Sequence, residues 1–354
     1  MKRVNPVLIF FIAANLMLNA TYAQPKIPQD KIPSDVVPGL KKQIEKLYSE
    51  NPLERKHAVI TIGEYGKEAE AAIPFLIELM ADSNCCPEPG VIYEHTPLVN
   101  EAVNWALIQI GTTCVKPLIN VLDSSSPLVR RNAAYCLGQI ADKRALLPLI
   151  TLLDDKDPAV KWQAIQALAG LKDKRATEPL LNLLNDEHLR ADIIYVLGQI
   201  GDGSAIDTLS FYLKDKNLEV RIAAASALGS IGHKSAVFYL VDALSDSDSR
   251  VKIAAILSLG QIGDPSAVDA LASVVNSENT ELGVRAIDAL MQIGGVPAAE
   301  ALILFLDNKN PDIRKNASWA LYSICGAGVS FGEDATKWKN WINANKSRLK
   351  NKKS

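Results

Sequence analysis

The chain has 354 residues, 48% of them hydrophobic and only 6% aromatic, with 38 Lys and Arg against 40 Asp and Glu for a net charge of −2. That balance provides no whole-protein positive field, so nucleic acid is not an expected partner. Small and aliphatic residues of this kind suit closely packed helices, and no segment sustains the period-two alternation of a half-buried strand.

Lys2 and Arg3 precede an apolar run from Val7 to Leu18 that ends in Thr21-Tyr22-Ala23. A charged start, a short apolar middle and small residues before a cut after Ala23 predict a signal peptide over residues 1–23. A membrane span needs ~20 apolar residues, and Asn15 and Asn19 interrupt this run, so no stable span is expected after cleavage. The expected location is exported, periplasmic or extracellular. Residues 24–38 carry Pro25, Pro28, Pro33 and Pro38 among polar residues and read as an extended, Pro-rich linker.

Helical periodicity begins after Pro38, with Leu40, Ile44 and Leu47 on one face. From there one phrase recurs: Leu137-Gly138-Gln139-Ile140, Leu197-Gly198-Gln199-Ile200, Leu228-Gly229-Ser230-Ile231 and Leu259-Gly260-Gln261-Ile262. Leu197, Leu228, Leu259, Leu290 and Leu321 are each 31 residues apart. A fixed period between 20 and 50 residues marks a solenoid. Aligning on it predicts nine helix pairs over residues 39–326, with second helices centred on Val59, Leu107, Leu137, Leu168, Leu197, Leu228, Leu259, Leu290 and Leu321. Ala133, Cys136 and Leu137 fall on one stripe of their helix and are expected in the core.

Two stretches stand outside the period. Residues 82–96 enlarge a turn and stretch the Val59 to Leu107 spacing to 48. Residues 327–354 are expected to hold a capping helix with Trp338, Trp341 and Ile342 on one side, followed by a disordered basic tail from Lys346 to Ser354.

Val129-Arg130, Ala133-Ala134 and Leu137-Gly138-Gln139-Ile140, repeated from Val220-Arg221 and Val251-Lys252, resemble the short HEAT repeats of the phycobilisome-lyase type. The resemblance implies an all-α, right-handed solenoid of about nine HEAT-like helix pairs, with second helices lining a concave face. It also implies an Asp in the turn between helices placed near the Arg of the next helix: Asp123 with Arg130, Asp154 with Lys161 and Asp307 with Arg314, with breaks at Ser245 and Gly283. The family contains many interaction scaffolds and few enzymes. An enzymatic alternative, a chromophore lyase or isomerase, comes from the resemblance alone, and an export signal argues against it because those enzymes act on cytosolic pigment proteins.

Candidate chemistry is sparse. Gly328-Val329-Ser330-Phe331-Gly332 matches the G-x-S-x-G elbow, but a hydrolase needs it between strand and helix, and here it lies between two helices. His57, His95, His188 and His233 lack the His-Glu pairs of HEAT-type di-iron hydroxylases, and Cys85, Cys86, Glu94 and His95 lack the spacing of a closed metal site. No catalytic residue, metal or cofactor is therefore expected. Cys136 is expected to be a buried small hydrophobe, whereas Cys85 and Cys86 are open to a mutual bridge, an intermolecular pair or free thiols.

The side of each second helix opposite the core is the candidate site. Counting from Val129 as zero, position +6 gives Trp105, Tyr135, Gln166, Tyr195, Ser226, Leu257, Asp288 and Trp319. Position +2 gives Glu101, Arg131, Trp162, Ala191, Ile222, Ile253, Val284 and Lys315. Exposed aromatic and Arg side chains anchor protein interfaces. The expected function is therefore a non-enzymatic scaffold that binds a protein or peptide through Trp105, Tyr135, Trp162, Tyr195 and Trp319, with Glu101 and Arg131 orienting it. The recurring Gln109, Gln139, Gln199, Gln261 and Gln292, at the flank, are expected to satisfy neighbouring backbone and solubilise the surface rather than read a ligand.

Overall fold

The computed structural model describes residues 24–84, 98–277, 279–326 and 328–350. The predicted signal peptide, nearly all of the 82–96 insert and the last residues of the tail lie outside them. The described residues are helical with no strand, and none of their helices is long and apolar enough to cross a membrane. The chain divides into two compact units, residues 1–171 and 172–354.

The first unit contains α1 (Pro38–Lys46), α2 (Pro52–Glu64), α3 (Ile73–Glu78), α4 (Val99–Ile110), α5 (Val115–Ile119), α6 (Pro127–Ile140), α7 (Leu146–Thr151) and α8 (Pro158–Leu171). Its second helices α2, α4, α6 and α8 pack in succession, and the shorter first helices back them. Pro52, Pro127 and Pro158 open three of them, at a position where the missing N–H costs nothing.

The second unit contains α9 (Thr177–Leu181), α10 (Arg190–Ile200), α11 (Ile206–Phe211), α12 (Leu218–Ile231), α13 (Val237–Ala243), α14 (Ser249–Ile262), α15 (Val268–Val275), α16 (Thr280–Ile293), α17 (Gly295–Ile303), α18 (Pro311–Cys325), α19 (Ala335–Ala344) and α20 (Lys346–Lys350). Here α10, α12, α14, α16 and α18 are the successive second helices. Gly201, Gly232 and Gly263 end α10, α12 and α14 at φ +72°, each donating its N–H to the carbonyl of the repeat leucine.

The first helices are shorter than the periodicity suggests. From α7 to α15 each begins as a single 3₁₀ turn, such as Lys143–Ala145, whose start is capped by the preceding side chain. Asp142 accepts from the Arg144 N–H at 2.9 Å, and Asp173, Asp202, His233 and Asp264 do the same two residues on.

The repeated Leu-Gly fixes how closely second helices approach. A Cβ added at Gly138 would stand 2.6 Å from Ala167 Cα, and one at Gly198 would stand 2.7 Å from Ala227 Cα. In α2 the same approach is made by Gly63 against Ala106, at 2.9 Å from its Cα. The residue equivalent to the repeat leucine is therefore Ile62 rather than Val59, a shift of one helical turn that an apolar run of Val59, Ile60 and Ile62 conceals.

A polar row runs along the turns, but in a different register from the expected one. Arg130 binds Asp155, one repeat onward, through Nε and Nη2 at 2.7 Å each, while its Nη1 donates to Ser124 O. Arg55 with Asp82, Arg190 with Asp215 and Arg221 with Asp246 repeat the arrangement. Asp123, Asp154 and Asp307 are exposed instead. The selected Asp is the one whose second oxygen accepts the N–H two residues on, as Asp155 does from Asp157 and Asp246 from Asp248, so it alone is fixed in the turn. The row is intact beside Ser245, because Asp246 fills it, and is broken at Gly283. In the last pair the acid comes from the cap, with Arg314 Nε donating to Glu333 at 2.8 Å. Asp82 belongs to this row, so it is part of the repeat and not of the insert.

Both ends are more ordered than expected. Residues 24–37 are not a free linker: Gln24 donates to Tyr48 O at 2.7 Å, the Tyr48 hydroxyl donates to Ile27 O, and Ile32 is buried. At the other end Trp338 and Ile342 of α19 are buried as a cap should be. The start of the tail forms α20, held by buried Leu349, a Lys346–Glu300 ion pair and Arg348 over the Trp341 ring.

Candidate functional site

Close helix approach on one side leaves the opposite side of each second helix uncovered. In the first unit Trp105, Tyr135 and Trp162 are 40%, 39% and 42% exposed. In the second unit Tyr195 and Trp319 are 54% and 55% exposed. Phe211 and Phe238, on first helices of the second unit, are 78% exposed each, so exposure alone does not single out this side. What does is the recurrence of Trp and Tyr at matching positions of successive second helices, the residue types that anchor interfaces. Ile222, Ile253 and Val284 are only half-buried, so the aliphatic part of the row in the second unit is neither core nor fully open.

The first unit gives its row a recess. Trp105 lies across Gly63, where a side chain would collide with the ring, and the space beside it is a cavity of about 260 Å³. Ile60, Leu98, Ala102 and Trp105 supply its apolar walls, and Lys56 and Glu101 complete the lining. With Ile62 as the repeat residue, Ile60 and Lys56 occupy positions +6 and +2 of α2. Counting from Val59 places neither of them on the open side, so the period alone does not reveal the recess.

The two charged candidates differ. Glu101 is exposed, but its Oε2 accepts the Leu98 N–H at 3.1 Å, so its charge is partly committed to capping α4. Arg131 is exposed and has no ion-pair partner among the described residues. Its neighbour Arg130 is fully engaged with Asp155. In the second unit Asp288 sits half-buried in the aromatic row, and desolvation raises its pKa, with Arg285 opposing. Gln109, Gln139, Gln199 and Gln261 are exposed, as solubilising residues are, but make no bond to neighbouring backbone among the described residues; Gln292 lies against Gly260.

The remaining chemistry resolves into structural roles. Gly332 of the G-x-S-x-G stretch accepts hydrogen bonds from Ser318 Oγ and Trp338 Nε1, so the segment seats the cap, and Ser330 is exposed beside it. His233 caps a turn, and His188 is exposed at another. Among the described residues no three His, Cys, Asp or Glu are grouped to hold a metal. Cys114 and Cys136 are buried thiols, and burial pushes Cys114 up to about 12 and Cys136 higher still. Cys85, Cys86, Glu94 and His95 lie outside the described residues.

Comparison with known proteins agrees with this architecture. The HEAT-repeat family model matches residues 115–190, 186–253 and 239–322. Among solved structures, a Kap121p mutant aligns at 14% identity over 92% of this chain and 40% of its own, with a TM-score of 0.50. Human deoxyhypusine hydroxylase in complex with glycerol aligns at 20% identity over 72% and 96%, with a TM-score of 0.33. The CpcE and CpcF complex of phycocyanin lyase from Nostoc sp. PCC7120 aligns at 22% over 83% and 98%, with a TM-score of 0.35. No well-characterised protein sequence matches the chain.

Proposed function

The chain belongs to the HEAT-repeat family, and from that premise we propose that it is a non-enzymatic scaffold that binds a protein or peptide along the open sides of its second helices. The observation that carries this reading is the row of large aromatic side chains left about half exposed while the repeat leucines and alanines beside them are fully buried. Exposed Trp and Tyr with an uncommitted Arg are the residue types that dominate interface energetics. Covering the open part of Trp162, about 100 Å², is worth about 2–3 kcal/mol. Tyr195 and Trp319 extend the same chemistry to the second unit. Trp105 has a second task, since it also packs on Gly63.

Residues 1–23 are read as an export signal, on the strength of Lys2, Arg3 and the short apolar run before Ala23. Amino-terminal sequencing of the protein from its native cells then begins at Gln24; an intact Met1 overturns that part.

Site-specific photo-crosslinking in those cells tests the scaffold. A photoreactive phenylalanine at Tyr135 or Trp162 is expected to give a discrete adduct, and one at Ser210 on a first helix is not. Adducts confined to Ser210, or turnover of a bilin and its apoprotein by the purified chain, would overturn the reading.

A further inference from the structure

We propose that the second-helix side of the first unit recognises an extended peptide bearing a branched aliphatic or aromatic anchor and, about four residues away, an acidic side chain. This rests on the scaffold reading and specifies the chemistry of the partner. The anchor belongs in the 260 Å³ recess between α2 and α4. Its walls are Ile60, Leu98, Ala102 and the Trp105 ring. Glu101 is turned back to the Leu98 N–H, and with Lys56 it completes the lining around these apolar walls.

The acidic requirement comes from Arg131. Its guanidinium is exposed on α6 without an ion-pair partner among the described residues, whereas Arg55, Arg130 and Arg144 are each bound to an Asp. Tyr135 lies one turn along the same helix, and Trp162 occupies on α8 the position that Arg131 has on α6, so exposed aromatic residues share the open side of these helices with the cation. An exposed, uncommitted planar guanidinium is suited to bidentate recognition of a carboxylate.

The spacing follows from helix packing. Neighbouring helices lie ~8–10 Å apart, so a recess between α2 and α4 is about one and a half spacings, roughly 13 Å, from Arg131 on α6. An extended chain rises ~3.3 Å per residue, which places anchor and acid about four residues apart.

A random 12-residue peptide library displayed on phage and selected on the full chain tests this. Wild type is expected to enrich an apolar residue and an Asp or Glu about four positions apart, and replacing that acid by its amide should weaken binding about tenfold. Arg131→Glu should keep the anchor and replace the acid by Lys or Arg. Ile60→Arg should remove the anchor; if it does not fold, Arg131→Glu decides alone, since that side chain is exposed. If peptides are enriched and lost with Trp162→Ala, but carry no acid or keep it against Arg131→Glu, the inference fails and the scaffold stands. If no enrichment depends on Trp162, both fail.

Discussion

Replacing Gly138 by Ala separates two physical arguments by the sign of the result. Helix propensity alone predicts stabilisation, since Ala is favoured over Gly by ~1 kcal/mol inside a helix. The close approach across the helices predicts the reverse. The new Cβ would stand 2.6 Å from Ala167 Cα and 2.8 Å from its Cβ, where ordinary carbon–carbon separations are ~3.5–4.0 Å. Because one neighbour is backbone, α6 and α8 must part by about 1 Å, which forfeits up to half of each dispersion interaction along their seam. Overpacking of this kind costs ~1–3 kcal/mol; taking the upper end for a backbone clash and subtracting the propensity gain leaves a net loss of about 2 kcal/mol. Urea unfolding followed by far-UV circular dichroism reads it directly. Gly203→Ala, with nothing nearer than 3.9 Å and an ordinary φ, is the matched control and should change stability by under ~0.5 kcal/mol. Adding Ala167→Gly should recover only part of the loss, since the backbone of residue 167 still obstructs the new methyl group. A Gly138→Ala protein as stable as wild type, or more so, would refute the argument that glycine sets the helix spacing.

Asp82→Ala strands the fully buried Arg55 and should cost about 3–5 kcal/mol, whereas Arg144→Ala, which breaks an exposed pair with Asp142, should cost under ~1 kcal/mol in the same urea titration. The Arg130 hydrogen bonds hold Asp155 below the usual carboxylate range, and Arg144 holds Asp142 at about 2. Depressed folded values add stability above the unfolded value of ~3.9, and this is lost as pH falls through the folded values. The urea midpoint should therefore hold from about pH 7 to 5 and drop between about pH 4 and 2. Asp288 has the opposite sign, because burial raises it and its ionisation opposes folding as pH rises. Asp288→Asn should stabilise the protein at pH 7 and be neutral below about pH 4, checked by melting at both. Buried Cys114 and Cys136 should resist iodoacetamide at pH 8 until urea is added, as read by peptide mass.

The helix-pair architecture was legible because Leu137, Leu168, Leu197 and their counterparts recur with buried alanines at fixed offsets, and a period needs no knowledge of tertiary packing. The aromatic row was legible for the same reason, since counting from those leucines separates covered from open sides. The first repeat failed as a ruler because Val59, Ile60 and Ile62 are equally apolar, and only the Gly63–Ala106 approach selects among them. The recess at Ile60 was lost with it. The Arg–Asp row was placed one repeat too early, and on the wrong one of two neighbouring acids, because each Arg reaches forward to the next turn and adjacent acids such as Asp154 and Asp155 look alike in sequence. What distinguishes them is which carboxylate accepts the N–H two residues on. Prolines at residues 25, 28 and 33 suggested a free linker, yet Tyr48 and buried Ile32 hold that segment down, and Leu349 does the same for α20. Single anchoring side chains leave no periodic trace.

The central claim is that the open aromatic rows bind a partner rather than hold the fold, and Trp162→Ala tests it most directly. Its urea midpoint and its affinity for the tightest peptide selected on the wild-type protein should be measured together. Because more than half of the ring is covered within the fold, some loss of midpoint is expected as well. The predicted result is a variant that stays folded without denaturant while its affinity weakens about thirty- to a hundredfold, corresponding to the ~2–3 kcal/mol of the open part of the ring. A lowered midpoint with unchanged affinity would contradict the claim and make Trp162 part of the core.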